Sequence, residues 1–217
     1  MPCLLILDRR AKRTVEAPDW VGRAYHGATP LGSGSYARVF GCLDGRALKL
    51  TNDSATMNLA RRLALDPTPG FYRVLRLSRL RAPRPFMAVS MPVLRPLCGW
   101  RRAAVAAAYS KALVAAARSH GFLGTSARGA RAFAQAMSDR VGEAPLSSFS
   151  ASICRHLAAS TIRNKQGIAL RGALLSLAKF CQSHHCDIDL VGLDNWMMDD
   201  DGALVLSDPV VRKAYAF

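Results

Sequence analysis

Acidic side chains are scarce in this chain: its 217 residues carry 15 Asp and Glu against 30 Lys and Arg, a formal net charge of +15. Long apolar runs are missing too. None reaches the ~18 residues that a bilayer span needs, so no membrane partner is expected. In "MPCLLILDRRAKR" the basic cluster follows the short apolar run, the reverse of a secretory signal. A mature N-terminus and a cytoplasmic protein are therefore expected. The six cysteines are scattered, which suits free thiols better than a disulfide framework. "CQSHHC", residues 181–186, packs two thiols and two imidazoles too tightly to close the usual zinc tetrahedron, and reads as a helix end. There is no internal repeat, no low-complexity linker, no helix-turn-helix, no zinc finger and no aromatic stacking ladder.

The charge that is present is unevenly placed. Ten arginines fall within residues 61–102, and seven of the fifteen acids within residues 187–208. A basic field of this size attracts polyanions: nucleic acid, nucleotides or acidic protein surfaces. Half of the residues are hydrophobic, enough for a sizeable core in one domain or one domain with two lobes.

Residues 1–28 show no clear period. In "TPLGSGSYARVFGCLDGRALKLTN", apolar residues recur around Tyr36, Val39 and Phe40, "LDG" makes a tight turn, and "RALKL" follows as a strand. This is a hairpin with a glycine-rich entry. "DSATMNLARRLAL" reads as a helix capped by Asp53 or Ser54 and ended by "PTPG". "FYRVLRLSRL" alternates as a half-exposed strand with a basic outer face, and "FMAVSMPVL" as a more buried one. After Pro96 the chain turns alanine-rich and helical, with helices expected over residues 99–121 and 126–142 and one or two more over 147–185, Gly167 serving as a break. The boundary divides the chain into residues 1–96, a β-rich lobe, and 97–217, a helical one.

"DNWMMDDDGALVLSDPV" has its own geometry: a short strand, a turn with glycine where a positive φ is needed, and a strand running back. Such a hairpin brings Asn195 close to Asp208. One amide oxygen and one carboxylate at the same end can hold a magnesium ion.

A glycine loop, a strand lysine, a helical middle and an Asn/Asp hairpin are, in that order, the parts of protein-kinase phosphoryl transfer. "LGSGSYARVF" matches the pattern L-G-x-G-x-[FY]-[GA]-x-V, and "ALKL" matches the strand of the ATP-binding lysine. The sequence thus resembles the protein-kinase-like superfamily and, within it, the small early serine/threonine kinases of short-tailed bacteriophages. In those a D-[ML]-H-x-G-N stretch precedes a short hairpin ending in T-D-P-V. Here "DLVGLDN" and "SDPV" stand in those places. The likeness runs over residues 31–210, with specific motifs only at its two ends.

The resemblance implies an α+β, two-lobed protein-kinase-like fold: a small antiparallel β lobe with one helix and a reduced, mainly helical second lobe. It implies ATP and magnesium as cofactors. Lys49 would grip the α- and β-phosphates; the plain alternative is a strand lysine snorkelling to water. Gly32 and Gly34 would let backbone N–H groups approach phosphate, with Ser33 and Ser35 adding hydroxyls and Val39 completing the nucleotide-binding stretch. Ala37 stands where the family has its third glycine. Asn195 and Asp208 carry over as the metal ligands; the plain alternatives are an Asx-capped turn and a turn-starting Asp-Pro.

The family's catalytic aspartate lies five residues before the asparagine, where this chain has Leu190. Asp189 lies six before and is the expected base. Asp187 is a second candidate, since "DID" puts both carboxylates on one face of an extended segment. Val191, Gly192 and Leu193 fill the place of the family's His or Lys. No glutamate occurs between Thr51 and Trp100, so the lysine's usual helix partner is missing. Nine residues follow Asp208, too few for an activation segment, so substrate docking falls to the arginine-rich face. There Arg61, Arg62, Arg73, Arg76, Arg79 and Arg81 are expected to wrap an edge, Arg76 opposing Arg73 and Arg79.

The activity implied is ATP/Mg-dependent serine/threonine phosphorylation of acidic host proteins in the host cytoplasm. The alternative is a kinase-like protein that no longer phosphorylates and blocks a host factor through its basic surface. Nucleic-acid binding suits the charge but lacks a base-reading motif. Small-molecule phosphotransfer suits it poorly, because substrates of those enzymes are often cationic.

Overall fold

The structure is a computed structural model that describes residues 3–8, 13–33, 36–80, 86–141, 143–161, 165–190 and 193–211. The chain is α+β, as expected. It divides into two compact units, one of Met1–Pro67 with Tyr72–Val93, the other of Thr68–Phe71 with Leu94–Phe217.

The first unit opens with an antiparallel pair, β1 (Cys3–Asp8) and β2 (Arg13–Ala17), and a short helix, α1 (Asp19–Tyr25). Five further strands follow: β3 (Thr29–Ser33), β4 (Ala37–Gly41), β5 (Arg46–Thr51), β6 (Arg76–Leu80) and β7 (Phe86–Pro92). They form one antiparallel sheet in the order β3-β4-β5-β7-β6, and α2 (Ser54–Leu65) joins β5 to β6 along the chain. The "LDG" turn behaves as the residue types require. Gly45 takes φ +76°, its N–H donates to the Cys42 carbonyl at 3.1 Å, and Asp44 accepts from the Arg46 N–H. Asp53 is the N-cap of α2, accepting from the Thr56 N–H at 2.6 Å.

Alternation along β5 divides its side chains between two faces. Leu48 and Leu50 join Phe40, Leu80, Ala88, Ala17, Trp20 and Val21 in a buried cluster, with Tyr25 edge-on to Phe40 at 5.0 Å.

The structure departs from the sequence reading of this unit in three places. Residues 1–28, without a visible period, hold two strands and a helix, so the described residues of the unit form two helices where one was expected. A seven-residue helix completes fewer than two turns, too short to display a 3.6-residue repeat. The glycine-rich stretch is not merely an entry: Gly32 and Ser33 belong to a paired strand, β3. Finally, "FYRVLRLSRL" is a strand only from Arg76. Phe71 instead bridges Leu206 in the second unit. Gly70, at φ +89°, packs so closely that a Cβ there would lie 2.9 Å from the Ala169 carbonyl oxygen.

The second unit begins with β8 (Arg95–Pro96) and four helices: α3 (Gly99–Ser119), α4 (Ala127–Val141), α5 (Glu143–Ser160) and α6 (Lys165–His184). Helix α5 packs against α6, α3 and α4. Its core draws on Tyr109, Leu113, Phe149, Ile153, Leu157, Leu174, Leu177 and Phe180, all buried. The expected break at Gly167 is absent: Gly167 is buried in the first turn of α6. A glycine inside a helix costs only about 1 kcal/mol relative to alanine, too little to stop a helix of twenty residues.

The helix end read from "CQSHHC" is real and has a mechanism. His185 takes φ +47°, and the Cys186 N–H donates back to the Cys181 carbonyl at 3.2 Å. This is the six-to-one bond of a Schellman cap, and it brings the two thiols together. A hydrogen bond from the pair, together with burial, pushes the Cys181 thiol far up from its ordinary value. Among the described residues, no three His, Cys, Asp or Glu side chains gather as a metal site.

The chain then runs through β9 (Asp187–Ile188), a 3-10 turn (Leu193–Asn195), β10 (Trp196–Met198), β11 (Leu204–Leu206) and β12 (Val210–Val211). Among the described residues no helix is long and apolar enough to cross a membrane.

Candidate functional site

In the first unit, sheet register sets the candidate residues in a row. Gly32 pairs with Val39, Val39 with Lys49, Lys49 with Val89 and Val89 with Leu77. Directly paired residues share a face, so Gly32, Val39 and Lys49 lie on the side of the sheet opposite the Leu48/Leu50 cluster. Two strand spacings, about 10 Å, separate Gly32 from Lys49. A bulge between Pro30 and Gly32 shifts the register there.

Lys49 is 2% exposed, so it is not a strand lysine reaching for water. Its Nζ lies 5.8 Å from the centre of the Tyr72 ring. Tyr72 was not singled out in the sequence, where it read as one more apolar residue of an alternating strand. Gly32 has open space around it: a Cβ there would meet nothing within 4 Å, and its φ lies outside the positive range. Neither packing nor backbone strain requires glycine at that position. Ser33 is exposed in β3, while Gly34 and Ser35 lie outside the described residues.

In the second unit, the hairpin read from "WMMDDDGALVLS" forms, with Trp196 opposite Leu206 and Met198 opposite Leu204. Gly202 takes φ +74°, and Asp199 closes the turn by accepting from the Ala203 N–H at 2.8 Å. Asp200 and Asp201 are exposed. At the other end, the Ser207 N–H donates to the Asn195 carbonyl at 3.0 Å, which keeps the residues flanking the hairpin together.

The segment carrying Asp189 is drawn to the same end. Ile188 pairs with Val210 and Asp187 with Val211, and the Asp189 N–H donates to the Pro209 carbonyl at 2.9 Å. The Asn195 Nδ2 donates to the Asp189 carbonyl, and the Trp196 Nε1 to the Leu190 carbonyl at 3.2 Å. Asp189 and Asn195 therefore belong to one hydrogen-bonded knot, and Asp208 lies in the chain between two of its members, Ser207 and Pro209; all three are half-buried. Asp187 is buried, at 9% exposure, one residue further along the β9–β12 pairing. Because the Asn195 amide nitrogen is used by Asp189, its amide oxygen is the atom left for a cation. An amide oxygen with carboxylates is a hard-oxygen donor set that fits magnesium. Val191 and Gly192, which give the loop its extra residue, lie outside the described residues.

The basic residues are less uniform than the sequence implies. Arg95 donates to the Asp199 and Asp200 carbonyls at 2.9 and 3.0 Å, Arg101 to the Gly202 carbonyl at 3.3 Å, and Arg102 pairs with Asp194 at 3.2 Å. Three arginines thus serve the acidic hairpin of their own unit. In the first unit, Arg76 stacks 5.0 Å from the Trp20 ring centre, whose Nε1 donates to Ser78. Arg73 and Arg79 are exposed, and Arg81 lies outside the described residues.

No protein-family model and no curated protein matches the chain. Among solved structures, an aminoglycoside phosphotransferase from Streptomyces rimosus matches at 18% identity over 87% of this chain and 74% of that one, with a TM-score of 0.31. At that score the likeness assigns no role to any residue.

Proposed function

We propose that this chain is a Mg-ATP-dependent phosphotransferase of the protein-kinase-like type, a serine/threonine kinase like those of short-tailed bacteriophages, acting on acidic host proteins. The observation that carries the reading is Lys49, a buried lysine in register with a glycine that no packing demands. ATP and magnesium, when bound, supply the transferable phosphoryl group and offset its charge. Lys49 would hold phosphate oxygens, and the Gly32–Ser35 stretch would offer backbone N–H groups to them. Asn195 and Asp208 would hold the metal. Asp189 would take the substrate hydroxyl proton; it is half-buried where Asp187 is buried, so its carboxylate is the more accessible of the two.

The test is a melting-temperature titration with millimolar Mg-ATP, followed by labelled ATP with host lysate. The unmutated chain should gain stability with Mg-ATP, as a ligand that binds only the folded state requires. Lys49→Ala should abolish the gain. No gain in the unmutated chain sinks the reading.

A second reading has support in the loop, where the asparagine is six residues from Asp189 instead of the family's five. A reacting group displaced by about 1 Å can lose ~100-fold in rate. On this reading the chain binds nucleotide but blocks a host factor through its basic surface. Mg-ATP stabilisation without label transfer to itself or to lysate proteins would select it.

A further inference from the structure

The lysine strand, the arm of the glycine stretch and helix α2 meet at a buried threonine. Thr51, the last residue of β5, is 0% exposed. Its Oγ donates to the Tyr36 carbonyl at 3.2 Å, beside the Asn52 N–H, which donates to the same oxygen at 3.0 Å. Tyr36 is the described residue on the β4 side of the glycine turn. The same Thr51 Oγ accepts from the Asp53 N–H at 3.2 Å, and Asp53 caps α2 through the Thr56 N–H. Asp53 and Thr56 are buried as well, at 5% and 3% exposure. One hydroxyl therefore uses its single proton on the glycine arm and its lone pair on the residue that starts α2.

No glutamate lies in α2, so a carboxylate of that type from the helix to Lys49 is not what ties this helix to the lysine strand. We infer that Thr51 is a positioning residue that couples Tyr36, at the head of β4, to the start of α2, so that both segments keep their places along the lysine strand. A hydrophobic group of the same shape would fill the space but carry neither bond: the buried Asp53 N–H would lose its acceptor, and the Tyr36 carbonyl would keep only the Asn52 N–H. The coupling stands on these bonds alone; its consequence for nucleotide affinity rests on the function proposed above.

Thr51→Val in the full chain tests it, with Thr51→Ser as the conservative restoration and Thr51→Ala in place of Val should the valine chain not fold. Two measurements are made: amide hydrogen exchange, and the Kd for Mg-ATP. Thr51→Val should speed exchange in residues 36–41 and in the first turn of α2 together, and raise the Kd about five- to tenfold, the equivalent of one to two lost hydrogen bonds. Thr51→Ser should return both to the unmutated values. Faster exchange in only one of the two segments, or an unchanged Kd with a lowered melting temperature, overturns the coupling in favour of a packing role. If the unmutated chain does not bind Mg-ATP, the function proposed above falls, and the exchange measurement alone decides the coupling.

Discussion

Lys49 sits in the middle of a ladder: Val39 pairs with it on one side and Val89 on the other, within strands of five to seven residues. Asp189 has no such ladder. It is held by a two-residue pairing, one backbone bond to Pro209, and two side chains, Asn195 and Trp196, that grip consecutive carbonyls. The lysine's place is thus shared among many backbone bonds, each replaceable in part by its neighbours. The aspartate's place hangs on individual side chains. Single substitutions should therefore displace Asp189 easily and Lys49 hardly at all.

The largest effect is expected at Trp196, fully buried and bonded to the Leu190 carbonyl. Trp196→Ala should cost about 3–5 kcal/mol in denaturant unfolding. Trp196→Phe keeps most of the ring but leaves that carbonyl without its donor, and should cost about 1–2 kcal/mol. If the phenylalanine chain is as stable as the unmutated one, Trp196 is only a core residue and the contrast loses one of its supports.

Asn195→Ala removes the grip on the Asp189 carbonyl and should cost about 1 kcal/mol. Hydrogen exchange should speed in residues 187–190 while the five-stranded sheet is unmoved. Faster exchange in the sheet as well would mean that the two regions do not differ in the way described.

On the ladder side, Asp53→Ala strips the α2 cap and should cost about 1 kcal/mol, with Asp53→Asn nearly neutral because asparagine caps as well. Urea midpoints of the two variants decide it; equal losses would mean that the carboxylate's charge, not its capping bond, is what matters.

The smallest stability effect is expected at Gly32. With open space and no positive φ, Gly32→Ala should change stability by less than about 0.5 kcal/mol. Gly70→Ala is the control, since φ +89° and a 2.9 Å approach to the Ala169 carbonyl oxygen make it costly. If Gly32→Ala leaves Mg-ATP affinity intact too, the glycine has no role in phosphate approach.

Much of the local structure around the candidate site was legible in the sequence because its signals are local. "LDG" and "DDDG" each place a glycine where a positive φ closes a turn, and Asp53 stands where a helix must be capped. The Asn195–Asp208 hairpin follows from a turn of four residues between two short apolar runs. Tyr72 beneath Lys49 was not legible, nor was the grip of Trp196 on Leu190, because a buried aromatic looks the same in any strand-like run. The arginines misled in part: charge alone does not tell that Arg95, Arg101 and Arg102 turn to the acidic hairpin and Arg76 to Trp20.

By itself the sequence determined the tight turns, the Asp53 cap and the helices that follow it, all consequences of backbone preference and hydrogen bonding within a few residues; the helix Asp19–Tyr25 it did not show. Only the tertiary structure decided the sheet order β3-β4-β5-β7-β6, the row that sets Gly32 and Lys49 on one face, and the pairing of residues 187–188 with 210–211. Those pairings join segments as far apart in sequence as Arg46 and Pro92 through backbone groups that every residue carries. Side-chain identity does not specify them, and they are settled by which faces can be buried together.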